Sequence, residues 1–297
     1  AMIGLTTGGI LNIFGDYILM RKFDMGIEGA GISTAVSQAI SFSLLLSVFL
    51  AGKTKSKFSI TLYPKAIKEL KKIIPTGLPS LIRQGLSSIS TMLLNYQAGI
   101  YGDAAIAAMT IVNRICFFVF AIGLGIGQGF QPVCGFNYGA KKYTRVKKGF
   151  FFTLAAGEIF MSLLAVLGLF LSDDLVGIFR DDPSVIEIGT FALKVQLLSL
   201  FFQPLCVCCN MMFQSIGKNR AASFLSALRS GFIFIPAILI LPWLFGLTGV
   251  EITQPVTDVA AFLISLPFVI SFFKELPKTD IPNNDTPVAF SAERKTE

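Results

Sequence analysis

Histidine is absent from the 297-residue chain. Its absence removes imidazole acid–base catalysis, histidine metal ligation and histidine pH sensing together. Charge is scarce too, at 14% of residues against about 25% in average soluble domains. The five cysteines, Cys116, Cys134, Cys206, Cys208 and Cys209, show no zinc-finger spacing. Three of them form a C-x-C-C cluster inside an apolar run, where cysteine is expected to act as a small, soft apolar residue. The opening Ala1-Met2-Ile3 enters an apolar stretch with neither a basic n-region nor a small-residue cleavage site. It does not read as a signal peptide, and the numbering is expected to begin partway through a longer protein.

What is present is apolar. Hydrophobic residues make up 53%, phenylalanine alone contributes 29, and mean hydropathy is +0.70. A helix needs about 20 apolar residues to cross a roughly 30 Å hydrocarbon core. Eight stretches meet that length: approximately 1–20, 27–51, 73–99, 104–130, 149–171, 185–214, 220–245 and 249–273. The expected fold is therefore all-α and polytopic, with eight transmembrane helices. The net charge of +7 does not point to nucleic acid, because the basic residues crowd into short loops. Seven lysines fall in 52–72, and Lys141, Lys142, Arg145, Lys147 and Lys148 fall in 138–148. The alternate connections hold few basic residues, so loops 52–72 and 138–148 and the C-terminus are expected on the cytoplasmic side of the cell membrane. The polar tail 274–297 is expected to be disordered.

The chain repeats itself. Gly26-Ile27-Glu28-Gly29 through Gln38 aligns with Gly246-Leu247-Thr248-Gly249 through Asp258 at an offset of 220 residues, with Ser33/Thr253 and Ser37/Thr257 in register. If the first two spans repeat as the last two, the period is six helices. Residues 73–273 then form one six-helix bundle, and 1–51 are the last two helices of a preceding bundle, joined by the basic linker 52–72. An even period keeps both repeats in the same direction across the membrane, related by an axis along its normal. A twelve-helix, two-bundle monomer is expected.

Polar residues at membrane depth should face a partner helix or a wet cavity. Gln84, Ser88, Thr91 and Asn95 share one face of the third span. Gln196, Ser199, Gln203, Asn210 and Gln214 share one face of the sixth. Both readings stand for these stripes: cavity lining or interhelical hydrogen bonding. Gln84, Ser88, Asn95, Gln203 and Asn210, with Asn113 and Phe117 of the fourth span, are the candidate substrate-binding residues. Among ionisable residues at depth, Asp258 and Asp16 are the ion-coupling candidates. Asp258 lies about nine residues into its span, and it either pairs with Arg229 or Arg114 or serves as an ion or proton site.

The stretch Gly123-Leu124-Gly125-Ile126-Gly127-Gln128-Gly129-Phe130-Gln131-Pro132-Val133-Cys134-Gly135-Phe136-Asn137-Tyr138-Gly139-Ala140 resembles the multidrug and toxic compound extrusion (MATE) family. Its residues alone read as helix packing followed by a helix stop at Asn137-Tyr138-Gly139. The resemblance covers roughly residues 5–273. It implies a chain that starts at the family's fifth helix, and export of drugs or organic cations in exchange for H⁺ or Na⁺, with no other cofactor. Sodium-using members carry a Glu about ten residues after a Gly-x-Pro and an Asp on the tenth helix. Here Gly77-Leu78-Pro79 leads to Ser87, and Leu205 and Cys206 occupy the second place, so the resemblance favours H⁺. The runner-up is a lipid-linked oligosaccharide flippase, suggested by Arg83, Arg114 and Arg229. No catalytic constellation is legible, so an enzyme is not expected.

Overall fold

Long apolar runs can satisfy their backbone in lipid only as helices or closed barrels, and here they are helices. The computed structural model describes residues 2–52 and 63–277, and among these every regular element is helical. The chain divides into two units, Ala1–Leu70 and Lys71–Glu297.

The first unit holds α1 (Met2–Asp16), extended by a π-helical turn Tyr17–Lys22, and α2 (Gly26–Leu50). Small residues join the two helices. Gly29, Ser33, Ser37 and Ser41 form a buried stripe at every fourth position of α2. A Cβ on Gly4 would lie 2.7 Å from Leu45, and one on Gly8 would lie 2.9 Å from Ser41. Ser41 donates to the Gly4 carbonyl (2.8 Å), and Ser33 donates to the Asn12 carbonyl (3.0 Å). Close backbone approach and interhelical hydroxyl bonds are how helices associate in lipid, where water gives no hydrophobic drive.

The second unit holds most of α3 (Tyr63–Gly99), then α4 (Asp103–Gly139), α5 (Tyr143–Phe170), the short α6 (Ser172–Phe179), α7 (Pro183–Ser199), α8 (Gln203–Ser215), α9 (Asn219–Ala227), α10 (Phe234–Phe245) and α11 (Leu247–Glu275). One core surrounds Met109, Val112, Met161, Leu193, Leu197 and Ile238. A second, richer in rings, surrounds Phe130, Phe150, Met212, Phe213 and Phe272. Cys116, Cys134, Cys208 and Cys209 are buried free thiols, while Cys206 is half-buried and also unpaired. Phe118, Phe152, Phe170, Ile178 and Trp243 point outward, as lipid-facing side chains do.

Among the described residues, helices occupy all eight expected spans, and six are long and apolar enough to cross a membrane. The first is short of this as an α-helix, because its last turn widens to a π turn. The third, within α3, is diluted by its polar stripe. Two spans are broken. Pro204 has no N–H to offer the Leu200 carbonyl, and a 3₁₀ turn at Leu200–Phe202 lets Gln203 N–H serve it instead. A π turn at Leu228–Phe232 separates α9 from α10.

Other limits move as well. The fourth span continues to Gly139, so the basic loop 138–148 shrinks to 140–142, and Arg145, Lys147 and Lys148 sit on the first turns of α5. The stop falls where the motif placed it, with Lys141 at φ 57° and Lys142 N–H returning to the Asn137 carbonyl at 2.9 Å. The basic linker is helical from Tyr63, and its residues 53–62 lie outside the described ones. The tail begins after α11 ends at Glu275, and its residues 278–297 also lie outside the described ones.

The internal repeat has a common geometry. Gly26 (φ 53°) and Gly246 (φ 62°) both adopt the left-handed backbone that favours glycine. Three residues on, Gly29 abuts the Leu19 backbone and Gly249 abuts the Leu241 carbonyl. The aligned hydroxyls Ser33, Thr253, Ser37 and Thr257 are all buried. A Cβ at Gly249 has no room, because its neighbour is backbone rather than a movable side chain. Gly249→Ala is expected to destabilise the second unit by about 1–3 kcal/mol, read as a lower unfolding midpoint in detergent. Gly31→Ala, where a Cβ meets nothing within 4 Å, should leave the midpoint unchanged.

Candidate functional site

The stripe on α3 faces a cleft. Gln84, Ser87, Ser88, Thr91 and Asn95 form one wall, and α4 supplies Thr110, Asn113, Arg114, Phe117 and Phe120 opposite. Gln196 of α7, Gln203 of α8, Arg229 and Ser230 of the π turn, and Gln254 of α11 close the floor. The cleft encloses about 620 Å³, within the range of small-molecule sites. A smaller annex of about 50 Å³ adjoins it, room for a few waters at roughly 10–15 Å³ each. Arg83, Gln203 and Arg229 border both spaces, and Asn210, Cys206, Asp258 and Ser265 line the annex.

Asp258 anchors the floor. Its side chain is fully buried, and a lone carboxylate there would be costly. Arg229 Nε donates to Oδ1 at 2.6 Å, and Gln254 Nε2 donates to the same oxygen at 2.9 Å. Gln203 Nε2 donates to Oδ2 at 2.8 Å. Ser199 Oγ lies 3.1 Å from Oδ2 and 2.8 Å from the Gln196 carbonyl, with one proton for both. The Arg229 guanidinium also stacks 4.7 Å from the centre of the Phe120 ring, a cation–π distance. Ser90 of α3 donates to the Ser230 carbonyl within the π turn, tying the cleft wall to its floor.

The candidates distribute as follows. Gln84, Ser88, Asn95, Asn113, Phe117 and Gln203 line the cleft, and Asn210 lines only the annex. Asn210 gives both its amide hydrogens to the Ala222 carbonyl and Ser226 Oγ, so interhelical bonding describes it better than open lining. Asp258 is paired with Arg229 and not with Arg114. Asp16 lies in the first unit, where Asn12 Nδ2 donates to it at 3.3 Å and also approaches Ser33 and Thr34. Gln254 escaped the sequence reading, although its position four residues before Asp258 on one helix carried the signal. Four buried amide oxygens, Gln196 Oε1, Gln203 Oε1, Asn210 Oδ1 and Asn219 Oδ1, have no partner among the described residues.

A polar cleft of this size within apolar helices defines a polytopic α-helical membrane protein with a solute-sized site. The sequence matches the MatE family over residues 79–240, more than half of the chain, and the chain belongs to that family. It is 29% identical over 269 residues to the multidrug export protein MepA of Staphylococcus saprophyticus, covering 89% of this chain and 59% of that protein. It is 30% identical over 268 residues to MepA of Staphylococcus aureus, with the same coverage. The fold is shared with a solved MOP superfamily transporter from Pyrococcus furiosus, at TM-score 0.83 and 22% identity, over 94% of this chain and 63% of that one. The chain thus spans about three-fifths of the length of these relatives.

Removing one partner of a buried ion pair strands the other. Asp258→Ala is expected to cost about 3–5 kcal/mol, measured as a fall in the unfolding midpoint. Adding Arg229→Met to that variant should recover a large part of the loss, since the stranded cation is then gone.

Proposed function

We propose that this chain forms part of a secondary active exporter of small amphipathic organic molecules, working by alternating access in a cell membrane. The observation that carries the reading is the polar cleft of about 620 Å³ lined by Arg83 and by amides and hydroxyls of α3, which suits cargo of varied shape. The multidrug export named for the staphylococcal relatives supports it. In this reading the second unit is one six-helix bundle, α1 and α2 belong to another, and export needs both. The chain alone is not expected to transport, and it performs no catalysis.

Export is driven by exchange for H⁺ or Na⁺. H⁺ is favoured, because Ser87 and Leu205/Cys206 bring no carboxylate to the places where sodium-using members carry acids. Asp258 acts as a structural anchor, since both its oxygens are engaged, Oδ1 by Arg229 and Gln254 and Oδ2 by Gln203. Asp16, which has no cationic partner among the described residues, is the better coupling carboxylate. The monomer presents loops 52–72 and 138–148 and the C-terminus to the cytoplasm. A cationic cargo would find its counter-charge outside this cleft, because Asp258 is spent.

The full gene product, expressed in a host stripped of its own exporters, should lower ethidium accumulation. The effect should vanish when the proton gradient is collapsed, and accumulation equal to that of empty vector would contradict the reading. For orientation, Lys142→Cys should resist a membrane-impermeant maleimide in intact cells and react in lysed ones.

A further inference from the structure

We infer that the cleft holds an anion-docking site: Arg83 and Arg114, with the terminal Nη donors of Arg229, bind a carboxylate or phosphate group carried by the cargo. The inference rests on the exporter reading of the same cleft and assigns it a substrate class.

All three arginines line the cleft. Among the described residues, Arg83 and Arg114 make no hydrogen bond or ion pair. Arg229 spends only Nε on Asp258. Its guanidinium is held between that carboxylate and the Phe120 ring, so its orientation is fixed before any ligand arrives. Among the described residues, no carboxylate lines the larger space. The one in the annex, Asp258, is fully buried and already paired. Three guanidinium groups therefore face one committed carboxylate, and the cleft has a net positive charge. Low-dielectric walls focus such a field and raise the local concentration of anions. The planar guanidinium fork matches the two oxygens of a carboxylate or phosphate, which a lysine point charge does not.

The rest of the lining limits what can accompany the anion. Phe117 and Phe120 bring aromatic surface to the cleft, and Gln84, Ser88 and Asn95 bring neutral hydrogen-bonding groups. The fitting cargo is an aromatic or amphipathic organic anion. Its charge sits among the arginines and its body lies along α3.

The full gene product, purified in detergent, tests this by fluorescence anisotropy with fluorescein as the anionic probe and ethidium as the cationic one. Fluorescein should bind, and Arg114→Gln and Arg83→Gln should each weaken it about ten- to a hundredfold, the worth of one charge-assisted hydrogen bond. Ethidium binding should not weaken in either variant. Arg114→Lys should recover only part of the fluorescein affinity. Arg114 is exposed, so its variant keeps the test open if Arg83→Gln does not fold. Competition by 1-naphthoate assigns the anion to a soluble organic acid, and competition by phosphatidylglycerol micelles assigns it to a lipid headgroup. Competition by neither, no fluorescein binding, or equal binding by Arg114→Gln would overturn the proposal. Ethidium efflux in cells reports separately on export: efflux without fluorescein binding removes the anion site and leaves the exporter. Fluorescein binding without efflux does the reverse.

Discussion

A carboxylate sealed inside apolar helices must have its charge and its lone pairs answered by protein, and Asp258 sets that requirement for the second unit. Its answer comes from Gln203 and Ser199 across the α7–α8 break, from Arg229 in the π turn, and from Gln254 one turn earlier on α11. Each donor lies where a helix departs from regular α geometry or faces such a point. The proline-induced 3₁₀ turn and the π turn both bring side chains inward, and Asp258 gathers them. The floor of the cleft is thus a consequence of satisfying one buried charge. The arginine that satisfies it keeps its outer edge for the cavity.

The helical pairs of the repeat use a different device. Gly26 and Gly246 turn the chain in the left-handed region, and Gly29 and Gly249 then let the following helix lie directly on the preceding backbone. Buried hydroxyls at 33, 37, 253 and 257 line the same face in both. The repeats diverge where chemistry differs: Asp258 has Gln38 as its counterpart, so only one copy of the shared packing scheme carries the charged anchor.

Much of this was legible from spacing. The polar face of α3 was visible because Gln84, Ser88, Thr91 and Asn95 recur with helical period in an apolar run, and lipid forbids that face an outward position. The glycine turns were visible because the repeat placed them in register. The helix breaks were harder to see. Pro204 announces the 3₁₀ turn, but the π turns at Tyr17–Lys22 and Leu228–Phe232 carry no residue signature, since one extra residue per turn leaves composition unchanged. Asp258's choice of Arg229 over Arg114 was equally open. Both arginines lie on apolar helices, and only the π turn and α4 backbone positions decide which one reaches the carboxylate.

The α3 stripe of Gln84, Ser88, Thr91 and Asn95 faces a cleft open to water, and the opposite side of the helix does not. Single cysteines at Ser88, Asn95 and Ile89, made in the full gene product with its native cysteines replaced, test it through their rates of reaction with a charged methanethiosulfonate in native membranes. Cysteine at 88 and 95 should react at rates near those of exposed loops, and cysteine at 89 should react at least tenfold more slowly. Equal rates at all three positions, or faster reaction at 89, would contradict the cleft.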